Sequence, residues 1–115
     1  MMQHFILLKQ DYLDLILKKS PKVITIFGSI FCGTCQELVK DRLDSIAKKW
    51  GDYLFVYVNA EDQDGNHTFP HAMSLLKNDS PDYWPYWVFW NEGIEQKDSY
   101  LTWGKEVDDW IRKLE

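Results

Sequence analysis

Three short apolar runs constrain this chain most. They are KVITIF (Lys22 to Phe27), YLFVYV (Tyr53 to Val58) and YWVFW (Tyr86 to Trp90). Each is β-branched or aromatic and flanked by turn-forming residues, the signature of a buried strand. QELVKDRLDSIAKKWGD lies between the first two. Its Val39, Leu43, Ile46 and Trp50 recur at i, i+4, i+7 and i+11, one face of an amphipathic helix. Gly51 supplies a stop. A strand, a helical crossover and a second strand predict a right-handed parallel pair. After the third run, NEG marks a tight turn, so a short edge strand, Ile94–Lys97, is expected to return antiparallel.

The flanking segments read as helices. In HFILLKQDYLDLILKK, residues Phe5, Leu8, Tyr12, Leu15 and Ile16 recur at helical spacing, which predicts a helix over His4–Lys19. Lys18 and Lys19 suit its C-terminus, and Ser20-Pro21 ends it. Pro70 opens a short helix, Pro70 to Lys77, carrying Met73, Leu76 and Leu75; Asn78 to Asp82 reads as a loop. Val107, Trp110, Ile111 and Leu114 form the apolar face of a last helix, with acids early and Arg112 and Lys113 late. The expected order is α-β-α-β-α-β-β-α. That is an α/β fold, a small mixed sheet with helices on both faces.

A chain of 115 residues is expected to make one domain, 1–115. A formal charge of −5 with no Lys/Arg-rich block makes nucleic acid a poor partner. No apolar run approaches the ~20 residues of a membrane helix, so no membrane association is expected. The N-terminus lacks the pattern of a secretory leader. A cytoplasmic location is expected, where a purely structural disulfide is disfavoured.

The only two cysteines, Cys32 and Cys35, lie in SIFCGTCQE. They fall between the end of a strand and the start of a helix. Cys32 is placed at or just before the helix N-terminus, where unpaired N–H groups favour a thiolate. Cys35 falls in the first turn, where it can resolve a mixed disulfide formed by Cys32. Gly33 is expected to relax the tight turn, and Thr34 fills the other gap position. CxxC after a strand and before a helix is a redox signature. Two other readings exist. His67 and His71 in HTFPH complete a four-ligand zinc set in type, but 31 residues separate Cys35 from His67, against about 12 in a finger. The pair can also be unreactive. No cofactor and no metal are expected.

With these residues in view, the chain resembles the thioredoxin family. The resemblance rests on FGSIFCGTCQEL, on FVYVNAED and on YWPYWVFWNEG, and it covers roughly Pro21 to Glu115. It implies a thioredoxin-like three-layer α/β/α sandwich around a mixed four- or five-stranded sheet. It implies a thiol–disulfide oxidoreductase with Cys32 as nucleophile and Cys35 as resolving thiol. Its substrate is a disulfide-containing polypeptide or a small thiol compound, and a thioredoxin-reductase-type donor recycles it. The resemblance also makes Pro85 a cis-proline facing the cysteines, with the Trp84 backbone beside Cys32 for an extended substrate segment. Phe31, Tyr83, Trp84 and Tyr86 fit an apolar rim for polypeptide.

The chain departs from the family pattern in several places. Thr34 replaces the gap proline. The family's buried acid falls at Ile26, its strand lysine at Tyr57, and a tryptophan before the motif at Gly28. Water, Glu61 or a substrate group must then take the Cys35 proton. AMSLLKNDSPDYW adds bulk near the expected substrate face. The alternative is a thioredoxin-fold binding or accessory protein with a redox-sensing or idle cysteine pair.

Overall fold

The structure, a computed structural model, describes residues 4–61, 64, 66, 68–76, 84–101 and 106–114. Among these residues five strands form one sheet: β1 (Phe5–Leu7), β2 (Lys22–Ser29), β3 (Leu54–Glu61), β4 (Tyr86–Asn91) and β5 (Ile94–Leu101). Their spatial order is β1-β3-β2-β4-β5. As expected, β2 and β3 are parallel and β4 and β5 antiparallel. β4 also runs antiparallel to β2, so the sheet is mixed.

Alternation along the strands divides the core in two. Ile24, Ile26, Phe55, Tyr57, Trp87 and Phe89 face one side, where Leu38, Leu43, Ala47 and Ile111 cover them. Val23, Phe27, Val56, Val58, Val88 and Trp90 face the other, under Leu13, Leu17 and Ala72. Helices α2 (Gly33–Glu37), α3 (Leu43–Lys49) and α5 (Val107–Arg112) therefore pack on one face. Helices α1 (Leu13–Lys19) and α4 (Pro70–Ser74) pack on the other. This is a three-layer α/β/α sandwich. Both faces of the central strands are buried, which is why they read as unbroken apolar runs. Among the described residues, no helix is long and apolar enough to cross a membrane.

The helix expected over His4–Lys19 is not one element. Phe5–Leu7 is a strand, parallel to β3 in the register Phe5↔Phe55, Ile6↔Val56 and Leu7↔Tyr57. Pairing here covers the outer edge of β3, which a helix would leave open. The helix starts only at Leu13, and it buries Leu13 and Leu17, while Tyr12 and Leu15 of the expected face are exposed. The short helix after Pro70 ends at Ser74, before the expected Lys77, which lies outside the described residues. β5 extends four residues past the expected Lys97, to Leu101.

The helix after the cysteines also differs from a plain amphipathic one. A π-helical turn, Leu38–Arg42, joins α2 to α3, and the Leu43 N–H donates back to the Leu38 carbonyl. The fully covered residues are Cys35, Leu38, Leu43 and Ala47, while Val39, Ile46 and Trp50 are half-buried. Leu38 to Leu43 is a five-residue step. Only a π turn brings both onto the sheet. In the β4–β5 hairpin, Glu92 and Gly93 have φ of 53° and 78°. Such a two-residue turn matches the twist of the strands and favours glycine.

Candidate active site

The end of β2 moors the cysteine segment. Ser29 is buried. Its Oγ accepts from the Phe31 N–H at 3.1 Å. Its carbonyl accepts from the Cys32 N–H at 3.1 Å and from Gln36 Nε2 at 3.2 Å. Sequence reasoning did not single out Ser29, although a small hydroxyl residue at a strand end has the chemistry to close a turn. Cys32 then occupies the N-cap of α2, and its Sγ accepts from the Cys35 N–H at 3.1 Å. The two cysteines are joined in a disulfide, with Cα atoms 5.2 Å apart. Cys35 is wholly buried and Cys32 half-buried. One sulfur is thus open to an incoming group and the other is shielded behind it.

Residues expected around the pair take different roles. Phe31 is 64% exposed and Ile30 40%, an apolar rim beside Cys32. Gly33 has open space where a Cβ would stand and no left-handed φ. The turn would accept a side chain there, so the expected relaxing role is not needed. Thr34 is half-buried. The Trp84–Pro85 peptide bond is cis, and Pro85 is buried. The Trp84 carbonyl oxygen lies 3.5 Å from Cys32 Sγ, within reach of an S–H donor when the pair is reduced. Tyr86 does not join the rim: it is 5% exposed and packs in the core under α1 and α4. Tyr83 and His67 lie outside the described residues. His71 sits on α4 with its Nε2 3.4 Å from Asp14 Oδ1. Among the described residues, no three His, Cys, Asp or Glu side chains gather as a metal would need.

The polar environment is unusual. Ile26 is fully buried where the family resemblance would place an acid. Its partner across the ladder is Tyr57. The Tyr57 hydroxyl is buried and has no hydrogen-bond partner among the described residues. Burial pushes its pKa up to about 12. It leans over Gly28, where a Cβ would lie 2.7 Å from Tyr57 Cζ and closer still to the hydroxyl. Gly28 is what lets the phenol fit. Glu61, expected as one possible acceptor for the Cys35 proton, instead accepts the Trp84 indole N–H at 2.9 Å. That pair, 23 residues apart, left no sequence signal beyond an acid at a strand end.

No family model matches the chain, and no curated protein sequence matches it. Solved structures do match its shape. Oxidised thioredoxin O2 of Arabidopsis thaliana is 19% identical with a TM-score of 0.67, over 99% of this chain and 93% of that one. Thioredoxin f2 of Chlamydomonas reinhardtii is 20% identical with a TM-score of 0.68, over 96% and 93%. A thioredoxin f2 solved in complex with ferredoxin:thioredoxin reductase is 17% identical with a TM-score of 0.67, over 96% and 91%. The sheet order, the bonded CxxC pair between β2 and α2, and these likenesses agree on one conclusion: the chain has the thioredoxin fold.

Proposed function

We propose that the protein is a thiol–disulfide oxidoreductase. One observation carries this reading above the others: half-open Cys32 caps a helix, with buried Cys35 bonded behind it and the Trp84 carbonyl alongside. In the reduced protein, the helix N-terminus favours the Cys32 thiolate. That thiolate attacks one sulfur of a substrate disulfide. A Cys32–substrate bond forms, the substrate S–S bond breaks, and the first substrate sulfur leaves as a thiolate that takes a proton. Cys35 then gives its proton to water or to a substrate group. The Cys35 thiolate attacks Cys32 Sγ and releases the second substrate thiolate. Two electrons have passed to the substrate, and the protein is left in its bonded form. The reverse direction uses the same steps, and relative potentials decide between them.

Phe31 and Ile30 support a polypeptide substrate, since they offer an apolar rim at the open sulfur. An extended segment would pair with the Trp84 backbone, a short form of strand addition. The neighbour held by ferredoxin:thioredoxin reductase supports a reductase-type electron donor, in a reducing setting such as the cytoplasm. The test is insulin-disulfide reduction with dithiothreitol. Cys32→Ser is expected to fall to the rate of dithiothreitol alone. Equal rates for the variant and the wild type would sink the reading. The exposed rim equally suits a thioredoxin-fold binding protein. For that reading, a Cys32 thiol that titrates like an ordinary free cysteine, at about 8.5, and no reversible disulfide are the expected findings.

A further inference from the structure

Glu61 ends β3, and the ladder to β2 sets it against Ser29, the residue that moors the cysteine segment. Its mount is therefore part of the sheet. Its carboxylate accepts the Trp84 indole N–H at 2.9 Å. At the other end of the same residue, the Trp84 carbonyl lies 3.5 Å from Cys32 Sγ. The Trp84 ring also packs against both halves of the core. A tryptophan ring has two torsions to the backbone, and fixing the ring tip with a charge-assisted hydrogen bond fixes both. The held ring anchors Trp84 on one side, and the cis bond to buried Pro85 anchors on the other the peptide group that carries the carbonyl.

We infer that Glu61 is a positioning residue: its carboxylate holds the Trp84 indole so that the Trp84 carbonyl is presented to a substrate segment beside Cys32. The inference rests on the oxidoreductase reading for what binds there. It adds a residue outside the CxxC segment that governs extended polypeptide substrates. A small disulfide needs no backbone pairing and so gains nothing from the carbonyl. Glu61 acts through Trp84, by orienting it; the redox steps use the two cysteines alone.

The test compares Glu61→Leu with Glu61→Gln. Leucine is close in size and cannot accept the indole hydrogen. Glutamine keeps an acceptor oxygen at the same place and removes the charge. The readout is the ratio of kcat/KM for insulin to that for hydroxyethyl disulfide. The ratio is expected to drop about tenfold in Glu61→Leu, the size of one charge-assisted hydrogen bond, through a higher KM for insulin. In Glu61→Gln it should drop by no more than about threefold, because a neutral hydrogen bond is roughly half as strong as a charge-assisted one. A ratio unchanged in Glu61→Leu overturns the inference. So does an equal drop in both variants, which would make the charge and not the hydrogen bond the active feature.

A second readout needs no activity. The indole N–H resonance of Trp84, assigned by its loss in Trp84→Phe, should move in Glu61→Leu and hold in Glu61→Gln. An unmoved resonance in Glu61→Leu overturns the inference even if insulin is reduced. A wild type that reduces neither substrate overturns the oxidoreductase reading, and the resonance alone then decides whether Glu61 holds Trp84.

Discussion

The Tyr57 hydroxyl is buried without a partner among the described residues. Such an orphan forfeits the hydrogen bonds it made to water, at a cost of about 1–3 kcal/mol. Tyr57→Phe removes the oxygen and keeps the ring, so urea unfolding is expected to find it neutral or more stable by about 1 kcal/mol. A loss above about 1 kcal/mol would reveal a partner the phenol depends on. The pH dependence has a definite sign. The folded pKa is raised from 10 to about 12, so this group's contribution is intact below pH 10. It is lost as pH rises through that window, because the unfolded chain ionises first. Tyr57→Phe should remove that part of the alkaline decline. Strand alternation places Tyr57 facing inward. Its clearance over Gly28 is a contact between side chain and backbone across two strands, which no spacing rule encodes. The two positions are bound in order: any larger residue at 28 requires Tyr57 to change first.

Among the elements, α4 is held from outside itself. Its N-cap residue, Phe69, has no side-chain hydrogen bond. Asp11 supplies one from the segment before α1, accepting from the His71 and Ala72 N–H groups at 2.8 Å each. Asp11→Ala is expected to cost about 1 kcal/mol, the usual worth of a helix cap, read as a drop in urea midpoint. An unchanged midpoint would mean that the packing of Phe69, Ala72 and Met73 holds the helix without the cap. This link explains part of what the N-terminal segment concealed. Its apolar residues fit helical spacing, yet Phe5–Leu7 pairs with β3 and Asp11 turns toward α4. Dense leucine and isoleucine runs satisfy both periods. Tertiary pairing decides between them. The central strands had no such rival, because β-branched and aromatic runs of that length suit little else.

Across the whole molecule, the layer of helices over Ile24 and Ile26 is tied at its rim by carboxylates. Asp108 of α5 accepts from Lys49 Nζ at 2.7 Å and Trp50 Nε1 at 2.8 Å. Those two hydrogen bonds, Lys49 first, hold its pKa below the ordinary 3.8. Asp44 accepts from the His4 backbone N–H at 2.6 Å, which lowers it likewise. Depressed folded values stabilise the fold above pH 3.8, and that contribution fades as pH falls below it. Asp44→Asn with Asp108→Asn should therefore flatten the acid limb of stability against pH, followed by tryptophan fluorescence. An acid limb as steep as the wild type's would refute the assignment. The layered architecture was legible because strand and helix periods are long-lived signals. The cysteine placement was legible because a strand end and a helix start bracket it. Trp84 and Pro85 came into view through family resemblance, and their tie to Glu61 only through folding the chain back on itself. The π turn at Leu38–Arg42 has a consequence for reading sequences side by side. A five-residue step in place of the four of a regular helix is equivalent to a one-residue insertion absorbed inside the helix. Aligning this segment with an uninterrupted helix needs a gap between 38 and 42. Without it, Leu43 and Ala47 are each compared with the wrong neighbour.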